Sequence, residues 1–234
     1  MRMRNKKNLI PRMEKCAAVQ VFEPAAMKGQ WGQLVPGCTH VRAEMGCGKG
    51  QFTAGVAVEN PGALIVALEK VPNAMVTAME RACREEIGNV RFIDTDVVNI
   101  PDIFAPGEVS VIYINFPDPW PRKKEAKHRL TAPKFLAMYW DLLPIGGRIE
   151  YKTDQLWLFD WSLEQFQALG YELRDVTRSL HEHGVTGVMT NYEARFHEQG
   201  IPINRCVAVK TKAEHDPAPE HSTVPATPTE AAAQ

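Results

Sequence analysis

The sequence predicts an α/β domain in which a parallel sheet is covered by helices on both faces. Two observations predict it. Short apolar runs of strand length alternate with longer stretches whose apolar residues recur at helical spacing, from Thr39 to Thr177. The chain of 234 residues, 44% of them hydrophobic, is also long enough for one sizeable core. In such sheets ligands sit beyond the C-terminal ends of the strands, so those ends are where chemistry is sought.

THVRAEM (39–45), LIVALE (64–69), VRFIDTD (90–96), EVSVIYIN (108–115) and GRIEYKTD (147–154) have strand length and composition. Between them QFTAGVAVEN (51–60), VPNAMVTAMERACREEIG (71–88), TAPKFLAMYWDLLP (131–144) and QLWLFDWSLEQFQALG (155–170) read as helices. In the second of these, Ala74, Ala78, Ala82 and Ile87 trace the inner stripe and Gly88 is the expected stop. After Lys210 the composition shifts to Pro, Ala, Thr and Glu without aromatics, which cannot bury enough surface to fold. The expected organisation is a basic arm over residues 1–20, mobile until something acidic binds, a domain over 21–211 and a disordered tail over 212–234.

Composition excludes several classes. No run approaches the ~20 apolar residues of a membrane span, and the charged N-terminus lacks the apolar core of a secretory signal, so a cytoplasmic protein is expected. The five cysteines are odd in number and form no CxxC pair, which argues for reduced, mostly buried thiols. No metal site is expected, because His181 and His183 are two apart and have no carboxylate-rich motif beside them.

The strand ends carry the candidate residues. Strand one ends in EMGCGKG (44–50), placing Glu44 before Gly46, Gly48 and Gly50 at the start of a helix. Glycines admit a cofactor close to the backbone and the helix start adds a positive dipole end, although GxGxG is not the dinucleotide spacing GxGxxG. Strand two ends in Glu69, able to accept both hydroxyls of an adenosine ribose, and strand three in Asp94 and Asp96, the latter suited to an adenine amino group. Each acid alone reads as well as a helix cap or solvated strand end as it does as a ligand group; together they suit a nucleoside.

Strand four runs into NFPDPWPRKKEAKHRLT (115–131). Pro117, Pro119 and Pro121 stiffen the backbone around Asp118 and Trp120. Arg122, Lys123, Lys124, Lys127 and Arg129 then follow in a chain whose formal net charge is only −1. A strip of like charge persists if it is solvated or if an anion lies on it. Lys152 and Asp154 close strand five, and TNYEARF (190–196) reads as a helix start capped by Thr190 or Asn191.

Taken in order, EMGCGKG, the Glu69 strand end, NFPDPWPRKKEAKHRLT, YKTD and TNYEARF resemble the bacterial tRNA (guanine-N7-)-methyltransferase family. The resemblance runs over about residues 41–209, and MRMRNKK is similar to the family's basic N-terminus. It implies the Rossmann-like class I methyltransferase fold, with a seven-stranded, mostly parallel sheet. It also implies S-adenosyl-L-methionine as donor and a variable-loop guanosine of tRNA as acceptor. The donor site then falls on Glu44, Gly46, Gly48, Gly50, Glu69, Asp96 and Asp118, with Asp118 also catalytic. The substrate site falls on Arg122, Asp154, Thr190, Asn191, Tyr192 and Glu193. Lys123, Lys124, Lys127 and Arg129 are expected to grip the tRNA backbone. Arg122 stands where the family usually has Lys, and Glu125 and His128 interrupt the basic run. The expected partner is tRNA, with the protein a monomer or a homodimer.

Other readings stay open at this level. PDPW loosely resembles the proline-aromatic turn of methyltransferases acting on exocyclic amino groups. GCGKG followed by Glu69 is also compatible with an NAD-dependent oxidoreductase, and the basic strip with an inert RNA-binding module.

Overall fold

The computed structural model describes residues 7–216. Its seven strands are β1 (His40–Met45), β2 (Ala63–Glu69), β3 (Val90–Asp94), β4 (Val109–Asn115), β5 (Arg148–Thr153), β6 (Glu172–Thr177) and β7 (Asn204–Val209). They form one sheet in the order β3-β2-β1-β4-β5-β7-β6, parallel except where β7 inserts antiparallel between β5 and β6. The chain leaves β1 for β2 on one side and returns to β4 on the other. That reversal opens a crevice at the C-terminal ends of β1 and β4.

The period-two alternation of side chains serves both faces of the sheet. In β2, Leu64, Val66 and Leu68 enter the core shared with Trp31, α4 (Ile100–Ile103), α5 (Pro133–Leu142) and α6 (Leu156–Leu169). Ala63, Ile65 and Ala67 point the other way, to α2 (Gln51–Glu59) and α3 (Pro72–Arg84). Helix α3 buries Met75, Val76, Ala78, Met79 and Ala82. It stops at Arg84 rather than at Gly88, because Glu86 takes the left-handed conformation (φ 53°) that ends the helix first.

Both ends of the expected domain shift. Helix α1 (Leu9–Lys15) lies within the supposed mobile arm and docks on α3. There Arg12 forms a two-point ion pair with Glu80 at 2.6 and 2.7 Å. The Cys16 thiol is pushed up to about 11, first by burial and then by the neighbouring thiol of Cys83, which is exposed. At the other end residues 212–216 are not free: Trp140 donates its indole N–H to the Ala213 carbonyl at 3.0 Å, and the Asp216 amide donates to Leu169 at 2.9 Å. The first six residues of the arm and the tail beyond Asp216 lie outside the described residues.

Candidate active site

The crevice opens into a cavity of about 820 Å³ lined by the tips of β1, β2 and β4, the loops that follow β1 to β4, the start of α5, and Tyr192 from α7 (Asn191–Glu198). Glu69, Asp96 and Asp118 line it together, as do Gly46, Trp120, His128 and Lys134. Sheet register explains the convergence. Glu69 pairs with Asp94 across β2 and β3, so the acids that end neighbouring strands arrive at one level.

Glu69 is positioned by two backbone amides, from Gly48 and Val71, each 2.9 Å from a different carboxylate oxygen. The carboxylate thereby ties the glycine loop to the start of α3, and each oxygen keeps a further lone pair. Asp96 accepts from the Val98 amide at 3.2 Å and faces Lys70 at 3.6 Å. Asp94 is exposed and does not line the cavity; partial burial raises its carboxyl above the usual range.

The three glycines divide their labour. Gly46 and Gly48 have positive φ (85° and 56°) and open space where a Cβ would stand, so the backbone there is free for close approach by a ligand. Gly50 serves packing instead. A Cβ on it would lie 2.5 Å from that of Ala78, so its role as a cofactor contact is corrected to the α2–α3 close approach.

Glu44 is likewise corrected. It is 2% exposed and does not border the cavity; it accepts hydrogen bonds from Thr53 and, at 3.3 Å, from Asn115. Burial pushes its carboxyl up to about 7, against the lowering effect of those two donors.

Asp118 is exposed at the cavity edge, and Trp120 is half-buried with His128 packed 5.2 Å away. Phe116 and Trp120 both adopt left-handed φ (50° and 45°), a conformation that costs on the order of 1–3 kcal/mol for such residues and needs support from the surroundings. Beyond the turn, Arg122, Lys123, Lys124 and Lys127 are solvent-exposed, with Arg122 facing Glu125 at 3.5 Å. Arg129 is not part of that strip. It is 1% exposed and turned inward, so the expected phosphate contact is corrected.

The 190–196 segment is a helix start, as its polar pattern suggests, and Thr190 is the cap. Its hydroxyl accepts from the Glu193 amide at 3.0 Å, while the Glu193 carboxylate accepts from the Thr190 amide at 3.1 Å. Glu193 is fully buried and pairs with Lys152 at 2.9 Å, with His181 bonded to the same carboxylate at 3.0 Å. It therefore holds the segment rather than facing a substrate, and Lys152 is occupied with it. Asn191 and Tyr192 are exposed, and Tyr192 reaches the cavity. Asp154 is half-buried beside Gln155 and does not line it; neither do Arg122 and Thr190. His128, read in the sequence only as an interruption of the basic run, is on the cavity wall, and so is Lys134, which the sequence reading did not single out.

The family model described as "Putative methyltransferase" matches residues 39–206. A tRNA (guanine-N(7)-)-methyltransferase of Lachnoclostridium phytofermentans is 42% identical over 194 residues, 82% of this chain and 91% of that protein. The enzyme of the same name from Bacillus subtilis is 37% identical over 206 residues, 88% of this chain and 97% of its own length. The chain belongs to the tRNA (guanine-N7-)-methyltransferase family. Among solved structures, the 16S rRNA methyltransferase KamB is similar in fold, with a TM-score of 0.61 at 17% identity, covering 79% of this chain and 94% of that one. A 16S rRNA (adenine(1408)-N(1))-methyltransferase from Catenulisporales acidiphilia gives 0.58 at 14%, covering 79% and 93%. No described helix is long and apolar enough to cross a membrane, and no described group of His, Cys, Asp and Glu could hold a metal ion.

Proposed function

We propose that the chain methylates N7 of a variable-loop guanosine in tRNA, using S-adenosyl-L-methionine, in the cytoplasm. The observation that carries this reading is the convergence of Glu69, Asp96 and Asp118 on one cavity, next to four exposed cations on the same loop. The residues suit the donor. Glu69 has spare acceptor lone pairs for ribose hydroxyls, Asp96 has one for an adenine amino group, and Gly46 leaves its backbone open. When bound, the donor supplies an electrophilic sulfonium methyl group.

Guanine N7 carries an in-plane lone pair and no proton, so the chain needs no general base. Its work is to position and to stabilise charge, which at best lowers a barrier by roughly 7–11 kcal/mol for positioning. Asp118 accepts from the guanine N1 and N2 protons, and its negative charge opposes the positive charge that the ring acquires. Trp120 and Tyr192 flank the base as aromatic walls. Arg122, Lys123, Lys124 and Lys127 hold flanking phosphates, since RNA is gripped through its backbone while an unstacked base is read on its edge. Asn191 and Asp154, which do not line the cavity themselves, are assigned to the bound tRNA outside it.

The test is to incubate the protein with labelled donor and unmodified tRNA, then cleave with borohydride and aniline. Cleavage at a variable-loop guanosine is the expected result. Label on tRNA that resists cleavage would take the reaction away from N7.

A further inference from the structure

Arg129 was expected to point outward with its basic neighbours, and it does the opposite. Its guanidinium lies between two indoles, 4.9 Å from the Trp157 ring centroid and 4.5 Å from that of Trp161. From that slot Nε donates to the Pro119 and Trp120 carbonyls at 3.2 and 3.3 Å, and Nη2 donates to the Trp120 carbonyl at 3.0 Å. The contrast with Arg122, whose side chain is 72% exposed seven residues earlier, is complete.

Both carbonyls belong to the two residues that follow Asp118, and Trp120 is one of the two non-glycine residues of this loop held at positive φ. A backbone in that conformation relaxes unless something holds it. The guanidinium is suited to hold it: its planar fork fixes direction as well as distance, and its charge strengthens bonds to carbonyl oxygens. The indole faces orient the plane of the fork through cation–π contact. Two residues on, the Thr131 hydroxyl bonds Ser162 at 2.7 Å, so the same segment is fastened twice to α6. Helix α6 starts just after Asp154, and the Asp118 turn borders the cavity.

We infer that Arg129 is a positioning residue for methyl transfer: clamped by Trp157 and Trp161 of α6, it holds the Asp118–Trp120 turn in its strained form. It thereby ties the donor side of the cavity to the helix on the substrate side. The inference rests on the reading that Asp118 stands beside the reacting base.

Arg129→Lys keeps the charge and removes the fork. Single-turnover methyl transfer at saturating tRNA and donor should fall by roughly 10- to 100-fold, the scale of a small misplacement at a reacting centre. Affinity for tRNA and its log–log salt slope should match wild type. Millimolar guanidinium should restore at least several-fold activity to Arg129→Ala, whose cavity lies between the same indoles. With 5-fluorotryptophan labelling, the Trp120 resonance, identified by Trp120→Phe, should broaden or split in Arg129→Lys. If Arg129→Lys fails to fold, Trp157→Leu, which removes the more exposed indole, should slow transfer in the same direction by a smaller factor. A salt slope lowered by roughly 0.7–0.9, with an unchanged rate at saturation, would make Arg129 a phosphate contact and overturn the inference. So would a Trp120 resonance and a transfer rate that both stay at wild type. An Asp118→Asn variant with normal rate, beside an impaired Arg129→Lys, would refute the role of Asp118 and not the clamp.

Discussion

Glu193→Gln should be among the most damaging single changes outside the cavity. The carboxylate is fully buried, Lys152 is 7% exposed, and the pair is 2.9 Å apart. Removing the negative charge leaves an interior ammonium without a counter-ion, facing only neutral acceptors, the Gln amide oxygen and the Val188 carbonyl at 3.0 Å. Breaking such a pair from one side costs about 3–5 kcal/mol. At roughly 2–4 °C per kcal/mol for a chain of this size, Tm should drop by about 6–20 °C. The double variant Lys152→Met, Glu193→Leu should recover most of the loss, since apolar residues of similar volume replace a buried pair at little cost. Thermal melts of the two single variants and the double variant form the assay. Because Glu193 also closes the capping box with Thr190, tRNA KM should rise in the single variant even at temperatures where it is folded. A Tm within 2 °C of wild type for Glu193→Gln, about 1 kcal/mol or less on the same scale, would refute the reasoning.

Three further outcomes are expected. Glu69→Ala should weaken donor binding by about 1.5–3 kcal/mol through lost charged-acceptor hydrogen bonds, and calorimetry that finds unchanged affinity removes Glu69 from the donor site. Charge reversal at Arg122, Lys123 and Lys124 should raise tRNA KM and flatten the salt dependence, each lost phosphate contact lowering the slope by roughly 0.7–0.9, while donor affinity holds. Glu44 should make stability pH-dependent. Its carboxyl is raised from 4.5 to about 7, so the folded state holds the proton more tightly, and the stabilisation present below about pH 4.5 is lost as pH rises through 7. The wild-type advantage over Glu44→Gln should therefore shrink by on the order of 3 kcal/mol between pH 4.5 and 8, and a constant difference in denaturant melts contradicts this.

How legible these features were depends on how local their causes are. The first five strands could be read because each is an apolar run that closes with an acid or amide near its C-terminal end. The sixth could not: β6 is an edge strand, ELRDVT, with Glu172, Arg174 and Asp175 exposed, so no apolar alternation marks it. Helix α1 is hidden in a basic segment because its stability comes from Glu80, 68 residues away, and not from its own composition. The same distance problem misassigned Arg129. Its neighbours in sequence are cations, but the indoles that turn it inward come from a helix that begins 27 residues later. Glu193 was misread for a different reason, since a capping carboxylate and a substrate carboxylate have the same pattern until burial is known. The acids Glu69, Asp96 and Asp118 were legible as candidates because strand ends in a parallel sheet share one edge.

The most direct test of the account is single-turnover methylation by Asp118→Asn. The substitution keeps side-chain volume but removes the negative charge and turns one acceptor oxygen into a donor amide. The protein should stay folded and still retain tRNA through the exposed strip, with at most a modest loss of donor affinity. If Asp118 stabilises the cationic ring of the product, transfer to N7 should slow by about 100-fold or more, the size of effect seen for other preorganised electrostatic groups. A rate within about threefold of wild type, roughly 0.7 kcal/mol of barrier, would contradict the account.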